Sequence, residues 1–293
     1  MSRDPVAPRR AALERFLERT LDRLAAPGRL GDAIRYAALS PGKRIRPLFT
    51  LASCESVGGP WRRALPAAIA IECVHAFSLV HDDLPAMDDD DFRRGLPTTH
   101  RKFDEATAIL AGDALLSLAF EALTGLRSAG VADARIREAV RILAIASGGR
   151  ELIAGQALDI AAEGRKVEEA DVRSIHEHKT GSLFGAALAL GGLAGGGRPR
   201  QIEALLQAGR HLGLAFQIRD DLLNAEASLA QIGKRAGTDA ARGKATYPAV
   251  IGLEGARMRA EAHLDLARAI LEEFHLLNRS LSDLLAATAA RRR

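Results

Sequence analysis

The sequence predicts an all-α protein: a single-domain helical bundle with a central cavity between its helices. Three observations predict this class. Ala, Leu, Arg and Glu are abundant, and all four favour helix. Apolar residues recur at three- and four-residue spacing through most of the 293 residues, the period of one helix face. Alternating β-branched runs, the mark of half-buried strands, are absent.

The elements follow in order from that periodicity and its breaks. Helices are predicted over 9–25, 29–39 and 44–57, interrupted at Pro27-Gly28 and ended at Gly58-Gly59-Pro60. The next, 62–83, carries few charges before its C-terminal acids, which predicts a central place in the bundle. Beyond Gly95-Leu96-Pro97 come 103–126, 132–147 (after Gly130), 148–162, 168–177 and 180–195. Gly191–Gly197 lacks the Lys-Ser/Thr of a phosphate-binding P-loop and follows no strand, so it reads as an interhelical turn. Helices over 200–224, 244–253, 255–276 and 279–290 complete the chain. No period of 20–50 residues repeats, which excludes a solenoid. No linker divides the chain, so one domain is expected over 1–293, with short tails at about 1–8 and 291–293.

Composition excludes several functions. The net charge is +4, and Arg9, Arg10 and Arg291–Arg293 supply much of the basic excess. No nucleic-acid motif accompanies it, so no nucleic-acid partner is expected. Cys54 and Cys73 form no CxxC pair and fall in apolar helical sequence, where buried free thiols are expected. The N-terminus shows no apolar signal region, and 181–197, the most lipid-like stretch, is slightly short of a spanning helix. A cytoplasmic protein without membrane insertion is expected.

The chemistry lies in two acidic clusters, HDDLPAMDDDDFRRG at 81–95 and FQIRDDLLNAEAS at 216–228. Basic segments accompany them: GKRIRP at 42–47, HKTG at 178–181, GKRAGTD at 233–239 and GKATYP at 243–248. Two like charges about 4 Å apart repel by roughly 1 kcal/mol even in water, and a divalent cation removes that cost. Hard oxygen ligands select magnesium or calcium, and magnesium commonly shares its shell with phosphate oxygens. Ideal helix spacing puts His75, Ser78 and Asp82 on one stripe with Asp83 beside it. Asp88, six residues beyond Asp82, would not face it on a continuous helix; Pro85 lets the chain leave helical geometry and return Asp88 to the same ion. Asp220 and Asn224 are four apart and share a face, with Asp221 adjacent.

These six motifs, in this order from about Gly42 to Gly252, resemble the short-chain trans-prenyl diphosphate synthases of the polyprenyl synthetase family, most nearly the bacterial farnesyl diphosphate synthases. The resemblance implies the isoprenoid synthase fold, a homodimer and a magnesium-dependent prenyltransferase. Its substrates would be isopentenyl diphosphate and an allylic diphosphate. It implies magnesium ligands at Asp82 and Asp88 with Asp83 in support, and at Asp220 with Asp221. Asn224 stands where relatives usually have Asp, which removes one charge. Lys43, Arg46, His75 and Arg94 match the isopentenyl diphosphate site; Arg93, Lys179, Lys234 and Lys244 match contacts to the allylic diphosphate. Thr180, Gln217 and the Lys179 carbonyl match groups placed near the allylic cation. Alone, each of these basic residues would read as solvated surface and His75 as a core histidine; the joint spacing reverses that reading. Pro41 departs from the Gly common before Gly-Lys-Arg.

Phe77, five residues before Asp82, matches the aromatic floor of farnesyl synthases, although ideal geometry puts Ser78 more directly under Asp82. A fifteen-carbon product is expected, with a twenty-carbon geranylgeranyl product as the alternative. A class I terpene cyclase is opposed by Ser228 at the position of its final Glu and by an aromatic content of only 4%. A non-catalytic partner subunit finds support in Asn224 alone.

Overall fold

The computed structural model describes residues 6–24, 26–230 and 244–290. Its helices are α1 (Ala7–Leu24), α2 (Gly28–Ala38), α3 (Ile45–Ser56), α4 (Leu65–Asp82), α5 (Thr99–Lys102), α6 (Glu105–Thr124), α7 (Asp133–Ser147), α8 (Leu152–Ala162), α9 (Glu169–His176), α10 (Ser182–Gly195), α11 (Pro199–Ala230), α12 (Tyr247–Glu273) and α13 (Arg279–Ala289). A 3-10 turn, Trp61–Ala64, leads into α4. The all-α expectation holds, with one addition. Phe92–Arg93 (β1) and Leu96–Pro97 (β2) pair antiparallel around Arg94 and Gly95, whose φ of 53° and 78° give the left-handed turn a hairpin prefers. Strands of two residues are too short to leave an alternation signal.

The chain forms two compact units, 1–143 with 190–197, and 144–189 with 198–293. In the first, α4 is central and packs against α1, α2, α3 and α6. Its Ile69, Ile71, Val74 and Phe77 are buried, which explains why this helix carries so few charges. The end of α10 belongs to this unit and corrects the turn reading of Gly191–Gly197. A Cβ at Gly191 would lie 2.0 Å from the Thr50 carbonyl oxygen, so this glycine lets α10 touch the backbone of α3. The chain leaves the helix only at Gly196, with φ 92°. Cys54 and Cys73 are free and buried, and desolvation pushes both thiols up to about 12.

In the second unit α12 packs along α11, and Val172, Ile175, Ile218, Leu222 and Tyr247 form a shared core. Three boundaries differ from the sequence reading. α11 runs to Ala230, past the predicted end at 224. α12 joins two predicted helices across a kink at Gly252, φ 74° and ψ 168°. The predicted break after 177 is a π-helical segment, Glu177–Gly181, between α9 and α10; such bulges are common at functional sites.

By length and apolarity the helices able to cross a membrane are Trp61–Asp82 and Glu105–Thr124, not the 181–197 stretch. The first has 72% of its apolar window buried inside the protein, as a core helix does. At the N-terminus α1 begins at Ala7, earlier than predicted; 291–293 lie outside the described residues.

Candidate active site

The first acidic motif begins where α4 ends. Asp83 N–H still donates to the Leu79 carbonyl at 3.1 Å; the chain then turns at Pro85, and Asp88 N–H donates to the Asp82 carbonyl at 2.8 Å. Asp90 N–H reaches back to Asp83 at 3.2 Å, and Asp89 takes a left-handed φ of 47° to permit the turn. The Asp88 backbone is thereby returned to that of Asp82, and both residues are half-buried. Asp83 is paired with Arg93. It is 3% exposed, and its carboxylate accepts from Arg93 Nε at 2.7 Å and faces Nη2 at 2.6 Å. Burial raises its pKa and Arg93 opposes the rise. Thus Asp83 and Arg93, to which the resemblance gives a metal and a phosphate, hold each other.

Around His75 the structure gathers three of the expected basic groups. Arg46 Nη1 lies 3.4 Å from His75 Nε2. Burial, then the charges of Arg46, Arg94, Arg93 and Arg44, hold the imidazole well below its usual pKa, hence neutral. Arg94 Nη1 donates to the Pro41 carbonyl at 2.8 Å. Gly42 makes room for it, since a Cβ there would sit 2.5 Å from Nη1. Lys43 is exposed on the same loop. A pocket of about 40 Å³ is lined here by Arg44, Glu72, His75, Asp83, Arg93 and Arg94, among others.

Sequence reasoning missed Arg44 and Glu72. Arg44, with φ 50°, caps α3 and buries its guanidinium against Glu72, with Glu14 at 2.8 Å from Nε. The signal was a lone Glu three residues before His75 in an otherwise apolar helix.

Phe77 is 6% exposed, with its ring edge-on to His81 at 5.0 Å. His81 reaches α6, where Nε2 is 3.1 Å from the Ile109 carbonyl and a Cβ on Gly112 would meet Nε2 at 2.1 Å. Ser78 Oγ donates to the His75 carbonyl at 2.9 Å.

In the second unit the π-helical segment carries Lys179 and Thr180. Gly155 lets α8 approach it, since a Cβ there would lie 2.2 Å from Lys179 N. Lys179 Nζ donates to Asp159 at 2.7 Å, and Thr180 Oγ1 donates to Gln217 Oε1 at 3.0 Å. Gln217 Nε2 donates to Asp221 Oδ1 at 3.3 Å, and Asp221 Oδ2 accepts the Tyr247 N–H at 3.2 Å. Asp221 is 5% exposed, and His176 Nε2 lies 3.5 Å from its Oδ2. Burial first, with help from Lys179 and against Asp159, lowers His176 to about 4. Asp220 is half-buried, Asn224 exposed and Lys244 half-buried; Lys234 lies outside the described residues. Asp159, His176 and Tyr247 were missed. The signal for Asp159 was Gln156 and Asp159, polar residues three apart in apolar α8, both 8% exposed.

Among the described residues no three His, Cys, Asp or Glu side chains form a ready-made metal cage. Magnesium does not require one. It keeps several waters and binds through one or two carboxylates and substrate phosphates, and the hard oxygens of Asp82 and Asp88 fit that role.

A family model described as Polyprenyl synthetase matches residues 27–274. The chain belongs to this family. A farnesyl diphosphate synthase of Geobacillus stearothermophilus is 42% identical over 285 residues, covering 96% of this polyprenyl synthetase and 94% of that protein. A chloroplastic geranylgeranyl pyrophosphate synthase (number 11) of Arabidopsis thaliana is 47% identical over 241 residues, 81% of this chain and 68% of that one. The crystal structure of an FPP/GFPP synthase from Zymomonas mobilis superposes with TM-score 0.79 at 36% identity, covering 95% of this chain and 98% of that one. A geranyltransferase from Legionella pneumophila gives 0.81 at 32% identity, covering 95% and 92%. The helical fold is therefore that of the isoprenoid synthase enzymes.

Proposed function

We propose that this chain is a magnesium-dependent trans-prenyltransferase that joins isopentenyl diphosphate to dimethylallyl or geranyl diphosphate, with farnesyl diphosphate as main product. The observation that carries the reading is the return of Asp88 onto Asp82, in the same unit as the Arg46–His75–Arg94 cluster. When bound, magnesium supplies charge neutralisation to a diphosphate leaving group.

The chain's own residues do the rest. Asp82 and Asp88 hold the ion, Asp220 holds a further one, and Asp83 anchors Arg93. Arg46 and Arg94 grip isopentenyl diphosphate with planar forks, Lys43 adds a point charge, and neutral His75 adds a ring nitrogen without further charge. Arg93, Lys179, Lys234 and Lys244 serve the allylic diphosphate. As its C–O bond breaks, Thr180 Oγ1, Gln217 Oε1 and the Lys179 carbonyl turn oxygen dipoles toward the allylic cation. The alkene of isopentenyl diphosphate attacks to form the new C–C bond, and the departed diphosphate takes the proton. Phe77 and His81 close the floor at fifteen carbons. The relatives named for geranylgeranyl diphosphate keep twenty carbons as the alternative. The family match over 27–274 supports the reading of one polyprenyl synthase domain; a cytoplasmic homodimer without membrane insertion is part of the same proposal.

The test is the purified chain alone with magnesium, isopentenyl diphosphate and each allylic diphosphate, products read by mass. A fifteen-carbon diphosphate is expected, and Asp82→Ala should remove most turnover while the helical circular dichroism stays intact. A hydrocarbon product would mean a cyclase; no product would mean a partner-dependent subunit.

A further inference from the structure

Asp220 and Asp221 are successive residues on α11, about 100° apart around the helix, so they cannot face the same way. Asp220 is half-buried; Asp221 is turned inward and 5% exposed. We propose that Asp221, backed by His176, is a positioning residue that fixes the amide of Gln217 and the first turn of α12, not a metal ligand. The proposal rests on the prenyltransferase reading of this site.

Among the described residues each oxygen of Asp221 takes a different hydrogen bond. Oδ2 accepts the N–H of Tyr247, the first residue of α12. That helix has no cap of its own, because Thr246 at the N-cap makes no side-chain bond and Pro248 follows with no N–H. A carboxylate at this end satisfies an orphan donor at the start of the short helical stretch that precedes the Gly252 kink. Oδ1 takes the Nε2 donor of Gln217, so Oε1 is the end of that amide left to accept from Thr180. The pair Thr180–Gln217 therefore presents its oxygens as it does because Asp221 has claimed the nitrogen. His176 closes the arrangement from behind. It is 5% exposed, its ring centroid lies 5.4 Å from that of Tyr247, and Nε2 faces Oδ2. Among the described residues its Nδ1 has no partner, so the imidazole's polar contact is with Asp221.

An amide at 221 cannot do both tasks, since it has one oxygen for two donors. The full-length protein is therefore compared as wild type, Asp220→Asn, Asp221→Asn, Asp221→Asn with Thr246→Asp, His176→Gln and His176→Phe. Hydrogen–deuterium exchange at the start of α12 is followed alongside kcat, KM and the magnesium concentration for half-maximal rate. Asp221→Asn should raise exchange at Tyr247 and lower kcat about 10–100-fold, with the magnesium requirement within about twofold of wild type. Asp220→Asn should raise the magnesium requirement and leave the exchange alone. Thr246→Asp gives α12 a cap of its own at the Ala249 N–H, since Pro248 has none, so the double variant should keep Ala249 protected, leave Tyr247 exchanging and not recover kcat. His176→Gln keeps a donor and should stay nearer wild type than His176→Phe. If Asp221→Asn raises the magnesium requirement as Asp220→Asn does and leaves Tyr247 protected, Asp221 is a ligand and the proposal is overturned. If the wild type turns over no prenyl diphosphate, the functional reading fails, while the exchange data still decide whether Asp221 and His176 fix α12.

Discussion

Removing Glu72 should loosen the isopentenyl site without touching any residue assigned to grip substrate. The Arg44 and Glu72 side chains are 4% and 5% exposed and paired, so Glu72→Ala strands a buried guanidinium. Breaking such a pair costs about 3–5 kcal/mol. Glu14, 35% exposed, still holds Arg44 Nε, which places the loss near the lower end, about 3 kcal/mol. Arg44 also takes a left-handed φ of 50°, a conformation costing roughly 1–2 kcal/mol for a residue with a side chain. The ion pair holds it there, and Lys43 and Arg46 flank it. Urea unfolding by far-UV circular dichroism should show a lower midpoint, and KM for isopentenyl diphosphate should rise about tenfold while KM for the allylic substrate changes little. Replacing both partners by Met should restore most of the stability, because two uncharged side chains leave no stranded charge. The raised KM should persist in that variant. A loss below about 1 kcal/mol for Glu72→Ala, with KM unchanged, would refute the argument that this pair holds the loop.

Phe77→Ala should lengthen the product beyond fifteen carbons by mass and cost about 3–5 kcal/mol of stability; an unchanged distribution would put the floor elsewhere. Asn224→Asp should lower the magnesium needed for half-maximal rate, because a carboxylate accepts from metal-bound water more strongly than an amide; an equal requirement in both proteins would exclude Asn224 from the metal shell. His211 and His263 meet Nδ1 to Nδ1 at 3.1 Å between α11 and α12. Burial, then His211, Arg259 and Arg173, lower His263 to about 4, and burial lowers His211 against the pull of Glu177. The folded pKa lies below the unfolded value, so the unfolded chain takes the proton first and stability is lost as pH falls from about 6.5 toward 4. The full shift corresponds to about 3 kcal/mol, which partial exposure reduces to about 1–2. Urea midpoints compared at about pH 7 and pH 4.5 should show the loss, and His263→Gln should remove much of it.

The composition and the three-to-four periodicity carried the helical class, and the charge-poor stretch before Asp82 located the central helix α4. The returning loop was legible as well, since a proline three residues past Asp82 leaves the helix no way to continue and brings Asp88 back. Those features are local: the residues that decide them are within a few positions of one another. The ordered motifs were enough to name the family, whose model matches residues 27–274.

Tertiary structure decided what the second member of each acidic pair touches. The sequence reading put Asp82 and Asp220 first and left Asp83 and Asp221 beside them in support. Packing turned Asp83 onto Arg93 and Asp221 onto Tyr247 N–H, because the helix face each occupies is set by what lies against it. The Arg44–Glu72 pair joins residues 28 apart, and Lys179–Asp159 joins residues 20 apart; periodicity contains no term for either. The glycines at 112 and 155 lay inside predicted helices with no role assigned, and Gly191 read as part of a turn. In three dimensions, each admits another segment at contact distance, which only a packed neighbour can require.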